Sequence, residues 1–240
     1  MRILIACEFS GIVRDSFITR GHDAISCDLL PTERPGPHIQ GDVTPYLHER
    51  FDLVIAHPPC TYLSYAGTAH WHKPGRAEKR AEAMRFFMAC WHANAEMVCV
   101  ENPFGLPCQE FRAPSQTVNP FDFGEPIRKR TCLWLRGLPL LYRSDSLFGR
   151  GFNGEAVAAP KPIYVRERTD GSRVDKMYGH HETPRRWHHT EAMSPGADRA
   201  HERSRSFQSI ANAMAEQWSP LLGDDSLTPD PRDADTLPGG

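Results

Sequence analysis

Short apolar runs alternate with polar or proline-rich segments through the first half of the chain. RILIAC (Arg2–Cys7), DAISCD (Asp23–Asp28), DLVIAH (Asp52–His57), MVCVENP (Met97–Pro103) and TCLWL (Thr131–Leu135) are brief, apolar and bounded by charge or proline. Each predicts a strand. Between the first two, Ile12, Val13, Phe17 and Ile18 recur at near-helical spacing, and Gly21 supplies a stop. LLPTERPGPHIQGD predicts a loop with room for a brief edge strand near His38–Ile39. The clearest periodicity spans Arg76 to Glu96. There Met84, Phe87, Met88, Trp91 and Ala95 form one stripe, while Arg76, Lys79 and Arg80 stay polar.

Strands alternating with helices predict an α/β fold, a mostly parallel sheet with helices on both faces. After Pro139 the pattern weakens. IYVRERTDGSRV predicts one hairpin turning at Asp170–Gly171. Periodicity returns in SRSFQSIANAMAEQW, where Phe207, Ile210, Ala211, Met214 and Trp218 share a helical stripe. This patterning suggests a core over 1–139, a small insertion over 140–200, a closing helix within 201–222 and a disordered acidic tail over 223–240.

Composition narrows the function classes. A formal net charge of −2 and a pI near 6.6 argue against a polybasic, sequence-blind nucleic-acid coat, but do not exclude a local basic cleft. No apolar run reaches the ~20 residues of a membrane span, and MRILIACEFSG is too quickly polar for a leader, so a cytoplasmic protein is expected. The seven cysteines contain no Cys-x-x-Cys pair, which argues against a zinc ribbon or a thioredoxin-like motif. Cys7, Cys27, Cys99 and Cys132 sit in apolar runs as small hydrophobes. Cys60 differs. It follows Pro58-Pro59, a corner that cannot continue a ladder because proline has no N–H.

Ligands of parallel α/β sheets gather at the carboxyl ends of the strands. That rule collects Glu8-Phe9-Ser10-Gly11 after the first strand, Asp28 after the second and Asp42 before the next. It adds Pro58 and Cys60 at the corner, Glu101-Asn102 after another strand, and Arg128-Lys129-Arg130 before the last. Each alone has a plain structural explanation: a strand-to-helix turn, caps, a packing corner or a solvated basic turn. An ionisable Glu101 ending an apolar strand is harder to explain away, since it must face a cleft.

In this order the motifs resemble the cytosine-C5 DNA methyltransferases, in particular short phage-borne members. CEFSGIVRDSF is similar to that family's Phe-x-Gly cofactor loop, PPC to its nucleophile motif, VENP to its Glu-Asn-Val, and RKR to the end of its Gln-x-Arg-x-Arg motif. SRSFQSIANAMAEQW resembles its last helix. The resemblance covers about residues 2–139 and 203–218. It implies a Rossmann-like fold and S-adenosylmethionine as cofactor, held by Glu8, Phe9, Ser10, Gly11, Asp28, Asp42 and Pro58. It also implies DNA as partner. Cys60 would add to cytosine C6, Glu101 with a raised pKa would act at N3, Asn102 would orient it, and Arg128 or Arg130 would hold O2.

Pro103 and Pro126 depart from the family's motifs, and little chain is left for a target-recognition domain. Two rival readings follow. The base arrives as a free nucleotide such as dCMP, or the chain is a non-catalytic DNA-binding relative. HHETPRRWHH (His180–His189) fits no standard zinc spacing and reads as a surface loop, with phosphate contacts or an aromatic stack as its use.

Overall fold

The computed structural model describes residues 1–125, 129–142, 164–167, 173–176, 201 and 204–223. The chain divides into two compact units. The first holds the described parts of 1–117, 131–141 and 214–223, and the second those of 118–130 and 142–213.

The first unit carries the sheet. Strands β1 (Arg2–Ala6), β2 (Asp23–Asp28), β3 (His38–Gln40), β4 (Phe51–Ala56), β5 (Ala95–Asn102), β6 (Gln116–Val118) and β7 (Thr131–Arg136) stand in the order β3-β2-β1-β4-β5-β7-β6. From β3 to β5 all neighbours are parallel, and β7 runs antiparallel beside β5. The chain winds outward from β1 to β3, then returns to place β4 on the other side of β1. That reversal is the switch point at which doubly wound sheets open a crevice. The fold is therefore α/β and Rossmann-like, as the alternating pattern implies.

Among the described residues the α-helices are α1 (Ile12–Ile18), α2 (Arg76–Trp91), α3 (Pro107–Glu110) and α4 (Gln208–Trp218). α2 closes one sheet face. Its Met84, Phe87, Cys90 and Trp91 bury with Leu4, Ala6, Val54, Ala56, Val98, Val100 and Trp134. The alternate residues Ile3, Ile5, Leu53, Ile55, Cys99 and Leu133 are fully buried on the opposite face, as are Val13 and Phe17 of α1. Continuous apolar strands are what a sheet covered on both faces requires.

The elements differ from the sequence pattern in several places. α2 stops at Trp91, not Glu96, because a turn at His92–Asn94 reverses the chain, and Ala95 of the expected stripe opens β5. Short 3-10 turns at Thr44–His48 and Tyr65–His70, α3 and β6 had no periodic signal long enough to reveal them. Cys7 is only half-buried, since β1 ends at Ala6 and Cys7 takes a left-handed φ of 58°. The expected hairpin is present as β8 (Tyr164–Glu167) against β9 (Arg173–Lys176), and the Asp170–Gly171 turn lies outside the described residues.

Arg14 on α1 belongs to no motif that the sequence pattern marks. Its side chain is fully buried and its guanidinium fastens the proline-rich loop. Nε donates to Asp15 at 2.8 Å, Nη1 to Ser26 and Thr32 at 3.2 Å each, and Nη2 to the carbonyls of Arg34 and Pro35 at 3.0 and 3.3 Å. The loop between β2 and β3 is thus organised around one cation. Arg14→Ala is expected to destabilise the protein by about 3 kcal/mol, because it strands several buried acceptors at once. Urea unfolding, with exposed Arg85→Ala as control, measures it.

Candidate active site

Gly11 turns the chain from β1 into α1 with φ of 73°, and a Cβ there would lie 2.6 Å from Arg14 Nη2. Only glycine fits both the left-handed backbone and that close approach. The turn encloses Glu8, which is 2 % exposed. Its Oε1 accepts from the Ser10 hydroxyl at 2.5 Å and from the Val13 N–H at 3.3 Å. Its Oε2 is buried with no hydrogen-bond partner among the described residues. Buried carboxylate oxygens are usually paired, so this one is open to a donor or cation. Phe9 and Ser10 are buried beside it.

Asp28 and Asp42 stand at the ends of β2 and β3. Asp28 Oδ1 accepts from the Leu30 N–H at 2.9 Å, a turn contact. Asp42 Oδ1 accepts from the N–H and hydroxyl of Thr44 at 2.9 and 2.8 Å, and those bonds hold its carboxyl below the usual carboxylate range. Burial pushes the Cys7 thiol well up, with Cys90 and then Asp28 among the further contributors, so these groups share one electrostatic neighbourhood. Burial likewise raises Cys27 to about 11 and Cys90 to about 12, as expected of inert packing thiols.

The second cluster lies where β4, β5 and β7 end or begin. The His57 N–H still bonds the Ala6 carbonyl at 2.9 Å, and then Pro58-Pro59 ends the ladder. Pro58 is buried, and Pro59 and Cys60 are exposed. The Cys60 carbonyl accepts from Leu63 and Ser64 at 3.0 and 2.9 Å, so the thiol stands at the head of a tight turn. Asn102, 1 % exposed, donates from Nδ2 to the Pro58 carbonyl at 2.7 Å. β5's last residue therefore fixes the corner that carries Cys60.

The following loops are spliced together as well. Leu106 N–H bonds the Leu63 carbonyl at 2.8 Å and Tyr65 N–H the Phe104 carbonyl at 3.2 Å. A Cβ on Gly105 would fall 1.9 Å from the Leu63 carbonyl oxygen, so only glycine allows this approach.

Glu101 is clamped from two sides. Thr131, at the start of β7, donates its hydroxyl to Oε1, and His57 Nδ1 lies 3.2 Å from Oε2. The parallel register pairs Ala56 with Val100, which sets His57 and Glu101 side by side. With Glu101 ionised, Nδ1 carries the proton in that contact. His57 and Thr131 are members that no sequence motif announces. The available signal was that each sits one residue beyond, or at the start of, an apolar strand on the same rim.

Cys60, Pro58, Glu101 and Asn102 are thus gathered in one unit with Glu8, Phe9, Ser10, Gly11, Asp28 and Asp42 at neighbouring strand ends. Arg130 is exposed and belongs to the second unit, and Arg128 lies outside the described residues, as does His180–His189.

No family model and no curated protein matches the chain. Among solved structures it is similar to a candidate DNA modification methyltransferase encoded within a prophage (E. coli), at 13% identity and a TM-score of 0.37. The match covers 56% of this chain and 46% of that one, so the chain spans about half that protein's length.

Asn102→Ala removes the side-chain donor to the Pro58 carbonyl at the buried corner. The expected cost is about 1–3 kcal/mol of stability from that unsatisfied group, read by thermal or urea unfolding.

Proposed function

We propose that the chain methylates C5 of cytosine in DNA through a covalent adduct on Cys60, using S-adenosylmethionine. The observation that supports this best is the bonded corner: an exposed thiol on Pro58-Pro59, held by Asn102, beside a carboxylate clamped by His57 and Thr131. Cytosine C5 is a poor nucleophile. A thiolate bond from Cys60 Sγ to C6 moves electron density onto C5, and protonation or hydrogen bonding of N3 by Glu101 favours that addition. A fixed corner limits error in the attack geometry, to which rate is sensitive. The bound cofactor supplies an electrophilic methyl group. Loss of the C5 proton afterwards re-forms the ring double bond and expels the Cys60 thiolate. In a duplex, the base must first leave the stack.

The cofactor fits the first cluster. The unpartnered Glu8 Oε2 suits a cationic amino group, the Gly11 turn allows close approach, and Asp28 and Asp42 offer acceptors for hydroxyl and amino groups. Arg128 and Arg130 are proposed to hold O2 of the base, on the resemblance of RKR alone. The dCMP reading shares all of this chemistry and differs only in how the base is delivered.

Nucleosides from DNA of cells expressing the protein, analysed by mass spectrometry, should contain new 5-methylcytosine that disappears with Cys60→Ala. Methylation surviving that substitution overturns the covalent mechanism. Its absence in the unaltered protein as well overturns the DNA reading.

His57 acts through Glu101 and is a positioning residue. His57→Leu is expected to lower kcat about 10²-fold with KM for DNA nearly unchanged, since it frees one side of the carboxylate. His57→Asn, whose amide N–H can occupy the place of Nδ1–H, should recover most of that loss. Equal damage from both variants would mean that His57 only packs.

A further inference from the structure

We propose that the face formed by Tyr62, Trp71 and the first turns of α2 is the docking surface for the phosphates of a polynucleotide, so that the base reaches Cys60 on a chain and not as a free nucleotide. This deepens the reading of Cys60 as the centre that receives cytosine, and rests on it for location. The face begins two residues after Cys60.

Arg76 lies over the Tyr62 ring at 4.9 Å, and Lys79 over the same ring at 5.6 Å. Arg80 lies over Trp71 at 4.7 Å and donates from Nη1 to the Trp71 carbonyl at 3.2 Å. Trp71 in turn sits against Tyr65, with ring centroids 6.0 Å apart. Exposed His70, His72 and Lys73 extend the same segment.

Three features separate this face from an ordinary solvated helix. The first is the sorting of charge. At roughly 100° per residue, Arg76, Lys79 and Arg80 share the side turned to the aromatic loop, whereas Glu78 and Arg85 fall on the far side and Glu82 flanks Lys79. Arg76 and Arg80 are therefore stacked as like charges one turn apart, which weakens an isolated helix instead of supporting it. The carboxylate that approaches this segment from α3 is Glu110, which adds to burial and Cys108 in raising the Tyr65 hydroxyl pKa.

The second feature is pairing. Arg2, Arg14, Arg20, Arg34 and Arg50 each stand within salt-bridge distance of a carboxylate. Among the described residues, Lys73, Arg76, Lys79 and Arg80 have no such partner, and those on α2 form a group, whereas the equally unpaired Arg85 stands alone on the far side. The third feature is order. Stacking on Tyr62 and Trp71 holds the guanidinium groups in place before any ligand arrives, which lowers the entropy cost of binding one. Adjacent phosphates along a strand recur every few ångströms, so a nucleotide at Cys60 brings its neighbours onto this face. A lone nucleotide carries only its own phosphate.

The test measures binding of a short cytosine-containing DNA duplex by fluorescence anisotropy across a salt series, with dCMP binding followed by calorimetry. The whole chain is compared with Arg76→Gln/Lys79→Gln, and with Arg85→Gln as a far-face control, each checked by thermal melting. The double variant should show a log K against log salt slope shallower by about 2, at ~0.9 for each phosphate no longer neutralised. The Arg85 variant and the dCMP affinity should be unchanged. Equal slopes for the double variant and the unaltered protein overturn the proposal. So does modification of dCMP by a protein that shows no salt-dependent duplex binding, although the Cys60 chemistry then stands. Binding that depends on Arg76 and Lys79 without any 5-methylcytosine supports the surface and removes the methylation reading.

Discussion

The hydrogen bond from Asn102 to the Pro58 carbonyl is the contact on which the rim of the candidate site depends. Two prolines end β4 and remove two backbone donors, so the corner cannot be held by its own ladder. A side chain from the neighbouring strand supplies the missing bond. Because it comes from β5, the corner bearing Cys60 and the strand end bearing Glu101 form one rigid piece. The contacts of Leu63 and Tyr65 with the Phe104–Leu106 loop continue that join past the strands. Gly105 is required there by distance, not by its own dihedral angles.

The two halves of the crevice are built on different principles. On the β1–β3 side, a buried cation at Arg14 gathers backbone carbonyls and fixes a loop that proline alone would leave without partners. That side keeps acids available: Glu8 with an unpartnered oxygen, and Asp28 and Asp42 at the strand ends. On the β4–β7 side the acid is restrained. Glu101 receives Thr131 on one oxygen and faces His57 on the other, which fixes its orientation while leaving it about a quarter exposed. The second arrangement leaves an oriented carboxyl group facing outward, and the first leaves a buried oxygen without a partner among the described residues.

Much of this was legible in the chain. Runs such as RILIAC and DLVIAH are short and apolar on both faces, as a covered parallel sheet requires, and the carboxyl-end rule then collects residues that the fold sets at neighbouring strand ends. What escaped was non-local. Nothing in AHPPC marks His57 as a partner of Glu101, because that contact depends on the β4–β5 register. Thr131 escaped for a related reason: β7 runs antiparallel, so its first residue, not its last, reaches the rim. The overrun of α2 to Glu96 arose because Ala95 fits a helical stripe as well as it fits a strand opening. Arg14 in VRDSF resembles any surface helix arginine until the loop that it binds is in place.

The chain's slightly negative net charge carries a further consequence. In a protein with balanced charge, most cations find carboxylates nearby, as Arg2, Arg20 and Arg50 do. A cluster that does not must be kept apart by the placement of its acids. On α2 that placement is written into the helix repeat: the carboxylates at Glu78 and Glu82 are set away from Arg76 and Arg80 by the same geometry that turns Phe87 and Trp91 into the core. The core stripe and the basic stripe are therefore one choice of register. A helix that buried a different face would lose the packing of β4 and β5 and the alignment of its cations on Tyr62 and Trp71 together.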